Sequence, residues 1–177
     1  MRCFIGFFVP EGPKPAVIAL QERLKRMPMD CKFVESENLH VSLSFLGELD
    51  NAAVLETEAR LGTVCAGRSR FHVIASSIKL IPNESHVRVV VLDVQDASGE
   101  LGKLFEGVKR DVGGDAKPPH LTLCRVREVR DKAALADGVR KLSFAPVEFD
   151  VEEIALIKSE LGINGPTYSV VKGFKLK

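Results

Sequence analysis

No stretch of this 177-residue chain approaches the roughly 20 consecutive apolar residues that a helix needs to cross a bilayer. The opening Met1-Arg2-Cys3-Phe4-Ile5-Gly6-Phe7-Phe8-Val9-Pro10 is too short in apolar residues, and lacks a small-residue cleavage site, for a secretory signal. It reads as the first strand of a cytoplasmic protein with no membrane partner. An excess of one charge is missing too. Lys plus Arg number 25 and Asp plus Glu 24, a net +1, which excludes a polycationic tail and leaves room for a local basic groove. Cysteines are few: Cys3, Cys31, Cys65 and Cys124. No gap between them matches paired zinc ligands, and a disulfide framework is not expected in a chain of this size without a secretory signal. They read as small hydrophobes, so any hydrolysis would rest on side chains rather than a metal. No low-complexity linker divides the chain, and residues 1–177 are expected to pack as one domain.

What is present supports a substantial core. Apolar residues make up 45% of the chain, and chains of about 150 residues bury close to 70% of their unfolded surface. Cys3 to Val9 is strand-like. Val17, Ile18, Leu20 and Leu24 recur at helical spacing between Pro13 and Lys25. Asn38 to Leu46 alternates, with Leu39, Val41, Leu43 and Phe45 on one face and His40, Ser42 and Ser44 on the other. A helix capped by Asp50 or Asn51 follows, then a strand from Phe71 to Ile81, a turn at Pro82–Ser85, and a partner strand from Val87 to Val94. The plan then repeats. Leu101, Leu104, Phe105 and Val108 mark a helix ending near Gly113-Gly114; Pro118 to Val126 is a strand; Ala133 to Val139 is helical. Phe149 to Ile157, a Gly162–Pro166 turn and Tyr168 to Phe174 close the chain. The repeat halves are approximately 1–86 and 87–177.

Chemistry repeats with the elements. His40-Val41-Ser42-Leu43 and His120-Leu121-Thr122-Leu123 stand 80 residues apart, each on the third element of its repeat. Strand alternation turns each imidazole and hydroxyl to one side and two aliphatics to the other. One such unit reads as a satisfied structural histidine; two at equivalent places read as a site. Histidine titrates near neutrality, so two imidazoles across a cleft can divide acid and base work. Hydroxyls two residues on, Ser42 and Thr122, can donate to phosphoryl oxygens. The pair suits in-line displacement at phosphorus, although either imidazole could be the base. His72 and His86 have no hydroxyl at that spacing and read as surface or packing residues.

Arg125 lies five residues after His120, an offset that turns it away from the histidine face unless a bulge redirects it toward phosphate. Arg88, Arg127, Arg130, Lys79 and Lys158 are candidates for a track along a polyanion, but scattered cations read first as solvated surface. Phe45 and Phe7 are candidate stacking rings for a planar substrate group; their apolar strand neighbours make core packing the expectation for both.

Several segments together resemble a known family. They are Met1-Arg2-x-Phe4-Ile5, Glu37-Asn38-Leu39-His40, Phe45-Leu46-Gly47-Glu48, Pro119-His120-Leu121-Thr122-Leu123-x-Arg125, and Lys158-Ser159-Glu160-Leu161 followed by Gly165-Pro166-x-Tyr168. The chain resembles the two-histidine (2H) phosphoesterase superfamily. More narrowly, it is similar to bacterial and archaeal RNA 2′,3′-cyclic phosphodiesterases, historically called 2′-5′ RNA ligases. The resemblance implies an α+β fold of two pseudo-symmetric lobes, with antiparallel-rich sheets flanking a central groove and helices outside. It implies a monomer with no metal or nucleotide cofactor, acting on RNA with a 2′,3′-cyclic phosphate end, tRNA fragments included. Carried onto this chain, His40 would donate a proton to the leaving 3′ oxygen and His120 would accept one from water, leaving a 2′-phosphate. An RNA 5′-hydroxyl in place of water would reverse the reaction into a 2′,5′ linkage. Two departures stand out: Ser42 where the family usually has Thr, which keeps the hydroxyl, and Ser44 where it often has Lys, a lost cation expected to weaken RNA binding.

Overall fold

A computed structural model describes residues 1–163 and 165–177. In chain order the elements are β1 (Arg2–Phe8), α1 (Lys14–Leu24), β2 (Met29–Phe33), β3 (His40–Glu48), α2 (Asn51–Cys65), β4 (Phe71–Asn83), β5 (His86–Gln95), α3 (Glu100–Gly107), β6 (Asp115–Ala116), β7 (His120–Val129), α4 (Lys132–Lys141), β8 (Val147–Val151), β9 (Glu153–Gly162) and β10 (Gly165–Lys175). A 3₁₀ turn at Ser36–Asn38 leads into β3, and a π-helical turn at Val108–Val112 extends α3 toward Gly113. Local chemistry sets several of these boundaries. The Asp50 side chain accepts from the Ala53 N–H (2.8 Å) and so caps α2; Asp131 does the same for α4 through Ala134 (2.9 Å). Such caps are each worth about 1 kcal/mol. Asn83 Oδ1 accepts from the N–H groups of Ser85 and His86, closing the expected turn between β4 and β5.

Among the described residues the strands join in one antiparallel path, β10-β9-β1-β3-β7-β5-β4-β8, with β2 added on β7 and β6 on β3. β3 and β7 share a single paired position, Val41 with Leu121, and there the sheet narrows into two lobes. The first lobe holds β10, β9, β1 and β3; the second holds β7, β5, β4 and β8. The halves of the chain therefore exchange elements. β2 and β4 from the first half sit in the second lobe, while β6, β9 and β10 from the second half sit in the first.

That exchange corrects one expectation. The single strand anticipated from Phe149 to Ile157 is two strands, because β8 pairs with β4 in one lobe and β9 with β1 in the other. The chain crosses between lobes at Glu152. The expected Gly162–Pro166 turn includes residue 164, outside the described residues; the flanking strands pair up to Gly162 with Gly165. β2 and β6 were not anticipated at all.

A continuous core of buried aliphatics, including Ile5, Leu24, Leu43, Leu104, Leu123 and Leu156, lies between the sheet and the helices. A second, small cluster of Phe4, Ala155 and Ile157, with Phe8 and Tyr168 against it, lies on the first lobe. β1 approaches β3 so closely that a Cβ on Gly6 would stand 2.2 Å from the Val41 carbonyl oxygen. Only glycine fits there, beside the residue that joins the two lobes. No described helix is long and apolar enough to cross a membrane.

Candidate active site

Around the Val41–Leu121 junction the two strands run antiparallel. One step to either side of that pair, the register sets His40 across from Thr122 and Ser42 across from His120. All four side chains line one groove of about 600 Å³. The repeated motif of the sequence is thus brought together from both lobes.

The two imidazoles are held in the same way. His40 Nδ1 lies 2.6 Å from the Asn38 carbonyl and His120 Nδ1 2.8 Å from the Pro118 carbonyl, each two residues back along the chain. A carbonyl only accepts, so each Nδ1 carries the hydrogen and each Nε2 is left to exchange protons. Beyond this the environments diverge. His40 packs against Phe4 (ring centroids 4.9 Å), Tyr168 (5.0 Å) and Phe8 (6.4 Å). Burial pushes its pKa below the ordinary histidine value; the bond to Asn38 opposes the shift, and the nearby Arg125 and His120 add to it. Across the sheet from His40 stands Phe8, whereas across from His120 stands Asp93, ion-paired to Lys79 at 2.9 Å.

Two bulges decide which neighbours enter the groove. On β3 the pairing with β1 slips between Ser42 and Ser44, leaving Leu43 as an extra residue. On β7 the pairing with β5 slips between Thr122 and Cys124, leaving Leu123 extra. A bulge reverses the alternation beyond it. Leu43 and Ser44 are therefore both buried, as are Leu123 and Cys124. The next residues, Phe45 and Arg125, return to the groove.

The β7 bulge is the redirection that Arg125 required. The β3 bulge overturns two expectations. Phe45 is not a core residue: it is 40% exposed on the groove wall, 5.9 Å from Phe4 between ring centroids. Ser44 does not face the groove: it is fully buried, and its hydroxyl donates to the Gly113 carbonyl at 2.6 Å. A missing cation at position 44 therefore removes nothing from the groove of this protein. Phe7 is core, as expected, against Phe71 and Phe149.

Of the five cations considered for an RNA track, Lys79 alone is among the residues lining the groove. Lys158 pairs with Glu160 and Arg127 approaches Asp30. Lys32 and Lys117 line the groove although neither was singled out; Lys32 stands 3.2 Å from Glu35 and Lys117 2.7 Å from Asp115. Tyr168 was visible only as part of a motif. Burial raises its pKa, so its hydroxyl keeps its proton. Asn38, also unassigned, is buried and donates from Nδ2 to the Pro166 carbonyl (2.8 Å), tying the turn before His40 to β10. His72 is exposed between Asp150 (2.8 Å) and Glu148 (3.3 Å), and His86 is exposed beside Arg88. The four cysteines are free thiols; Cys3, Cys65 and Cys124 are buried and Cys31 half-buried. Among the described residues no cluster of three or more His, Cys, Asp or Glu could hold a metal ion.

A family model described as LigT like Phosphoesterase matches this chain twice, over residues 7–91 and 92–168. The chain belongs to that family. It is 31% identical to a Methanocaldococcus jannaschii protein named RNA 2′,3′-cyclic phosphodiesterase, covering 97% of this chain and 99% of the relative. An Aquifex aeolicus protein of the same name is 30% identical, over 99% of this chain and 97% of its own length. Among solved structures, TT0787 of Thermus thermophilus superposes with a TM-score of 0.79 at 27% identity, covering 99% of this chain and 98% of that one. The apo form of E. coli LigT shares the fold, with a TM-score of 0.72 at 21% identity over 99% of this chain and 96% of that one. The family's two-lobed, duplicated phosphoesterase fold is the one seen here, and the chain is an enzyme of the hydrolase class.

Proposed function

We propose that this protein hydrolyses the 2′,3′-cyclic phosphate at an RNA end to a 2′-phosphomonoester. One observation carries the reading: two His–hydroxyl units, equally oriented by backbone carbonyls, face one another across a groove. The names of the relatives agree with it. Water attacks phosphorus opposite the 3′ oxygen; His120 Nε2 takes its proton as the new P–O bond forms, the P–O3′ bond breaks, and His40 Nε2 delivers a proton to O3′. Ser42, Thr122 and Arg125 donate to the nonbridging oxygens, where charge grows in the transition state. Phe45, on the first-lobe wall, offers the terminal base a stacking face.

The surroundings of the histidines support this division of labour. His40 is enclosed by rings on the leaving-group side, and His120 is the more open to water. Burial holds His40 below the ordinary range; the negative charge of a bound phosphate opposes that shift, so the proton is retained where it is used. The exchange of β2, β4, β9 and β10 between lobes supports reading residues 1–177 as one functional domain, since neither half alone holds both walls of the groove.

The test is an RNA bearing a 2′,3′-cyclic end, incubated with enzyme in EDTA, with the product followed by phosphorus NMR. A 2′-monoester is expected. A 3′-monoester, or no turnover, overturns the reading.

A further inference from the structure

Helix α1 buries four residues, Val17, Leu20, Gln21 and Leu24, and Gln21 is the polar one among them. It is 5% exposed. Its side-chain amide donates two hydrogen bonds, to the Val34 carbonyl at 2.9 Å and to the Leu123 carbonyl at 3.0 Å. Leu123 is the extra residue of the β7 bulge, and Arg125 reaches the groove because of that bulge. Val34 is where the chain leaves β7, its N–H bonded to the same Leu123 carbonyl at 3.0 Å, on the way to the turn before His40. Phe33, Val34 and Glu35 line the groove there. Both amide hydrogens of one buried side chain thus bind the irregular point of β7 and the departing strand beside it.

We infer that Gln21 is a positioning residue for Arg125. Without Gln21 the Leu123 carbonyl keeps the Val34 N–H, but the part-buried Val34 carbonyl loses the donor that the Gln21 amide gives it, a loss costly enough to drive rearrangement where β2 leaves the bulge of β7. Resuming regular pairing across β7 would turn every later side chain to the opposite face, withdrawing Arg125 from the phosphate. Gln21 meets that demand from outside the sheet, where it touches neither substrate nor histidine. A leucine or methionine fits the same apolar face of α1 and provides no donor. The inference rests on the reading of Arg125 as a phosphate ligand.

The experiment is a double-mutant cycle of Gln21→Leu and Arg125→Ala, read as KM, kcat and pH profile on the cyclic-ended RNA, with Tm recorded for each variant. Gln21→Leu is expected to raise KM on the order of tenfold and, because the Arg125 charge adds to the depression of His40, to shift the pH profile in the same direction as Arg125→Ala does. In the Arg125→Ala background the same substitution should change KM less than about twofold, since its route of action is already gone. Gln21→Met, of similar length and greater flexibility, replaces Gln21→Leu in the cycle if the leucine variant does not fold. Equal effects of the Gln21 substitution in the two backgrounds would overturn the positioning role. An Arg125→Ala enzyme with unchanged KM would overturn the phosphate role of Arg125 itself, and the positioning role with it.

Discussion

The two lobes present the same scaffold and different chemistry. In each, a histidine donates Nδ1–H to the carbonyl two residues back, a hydroxyl follows two residues on, and a bulge comes next. The residue five beyond the histidine then re-enters the groove. On the first lobe it is Phe45; on the second it is Arg125. The cross-strand neighbours differ likewise, Phe8 for His40 and Asp93 for His120. In the proposed mechanism the backbone devices repeat because proton transfer needs two oriented imidazoles, and the flanking positions diverge because a nucleotide end has a base on one side of its phosphate and not on the other.

Removing either imidazole tests the shared part of the scaffold and has the largest expected effect. His40→Ala and His120→Ala should each lower kcat by about 10²–10⁴-fold, the usual range for a positioned acid or base. The double variant should lose less than the product, since both residues serve one displacement. A cyclic substrate with sulfur in place of the 3′ oxygen separates the two roles, because a thiolate leaves without a proton. It should restore turnover to His40→Ala and leave His120→Ala slow. Rescue of His120→Ala instead would exchange the acid and the base.

Next in size are the hydroxyls. Thr122→Val keeps the shape and deletes the donor, and kcat should fall by up to about 10²–10³-fold with a smaller change in KM. Ser42→Thr keeps its donor and should stay active. An unimpaired Thr122→Val enzyme would remove the hydroxyl from the mechanism and leave the histidines standing. Phe45→Ala should act in the opposite sense, raising KM by on the order of tenfold while kcat holds, as loss of one base-stacking face predicts. A KM unaffected by Phe45→Ala would place the base elsewhere.

The bulges also mark where the sequence stops being legible. Alternation is visible in His40-Val41-Ser42 and in His120-Leu121-Thr122, and both units fall on one groove as alternation requires. The same rule carried two residues further sends Ser44 into the groove and Phe45 into the core, and the structure reverses both. Nothing in Leu43-Ser44 or Leu123-Cys124 announces an extra residue, because a bulge is set by the partner strand. The exchange of β4, β9 and β10 between lobes is hidden for a similar reason: strand pairing is a long-range choice, and the helical and strand periods that mark each element are local. Helix caps are local and so partly legible: the sequence offers Asp50 or Asn51 for α2, and Asp50 is the one that caps it, as Asp131 caps α4.

The asymmetry between Phe8 and Asp93 yields a pH prediction. Burial depresses His40, the proton donor, so it gives up its proton at lower pH than a free histidine and the alkaline limb of kcat/KM should set in correspondingly early. Phe8→Asp would set a carboxylate across from His40 as Asp93 stands across from His120. A nearby negative charge favours the imidazolium, so the alkaline limb should move upward by about one pH unit. The limbs belong to the coupled pair, so the comparison is between enzymes under one buffer series. An unmoved limb would show that the cross-strand neighbour does not govern His40.

The smallest expected effect is on a histidine outside the groove. His72 is exposed between Asp150 and Glu148, and hydrogen bonds to those carboxylates raise its pKa. Its folded pKa lies above its unfolded value, so the folded protein holds the proton more tightly. The stabilisation is then fully present below the unfolded pKa of about 6.5 and disappears as pH rises through the raised folded value. Exposed ion pairs are weak and screened by salt. His72→Ala should therefore lower Tm slightly at about pH 5.5, leave it unchanged at about pH 9, and lose the acidic-pH difference in high salt. Turnover should equal that of the unmodified enzyme throughout. A loss of kcat at any pH would mean that this imidazole communicates with the groove, and the division between the paired histidines and the solitary ones would fail.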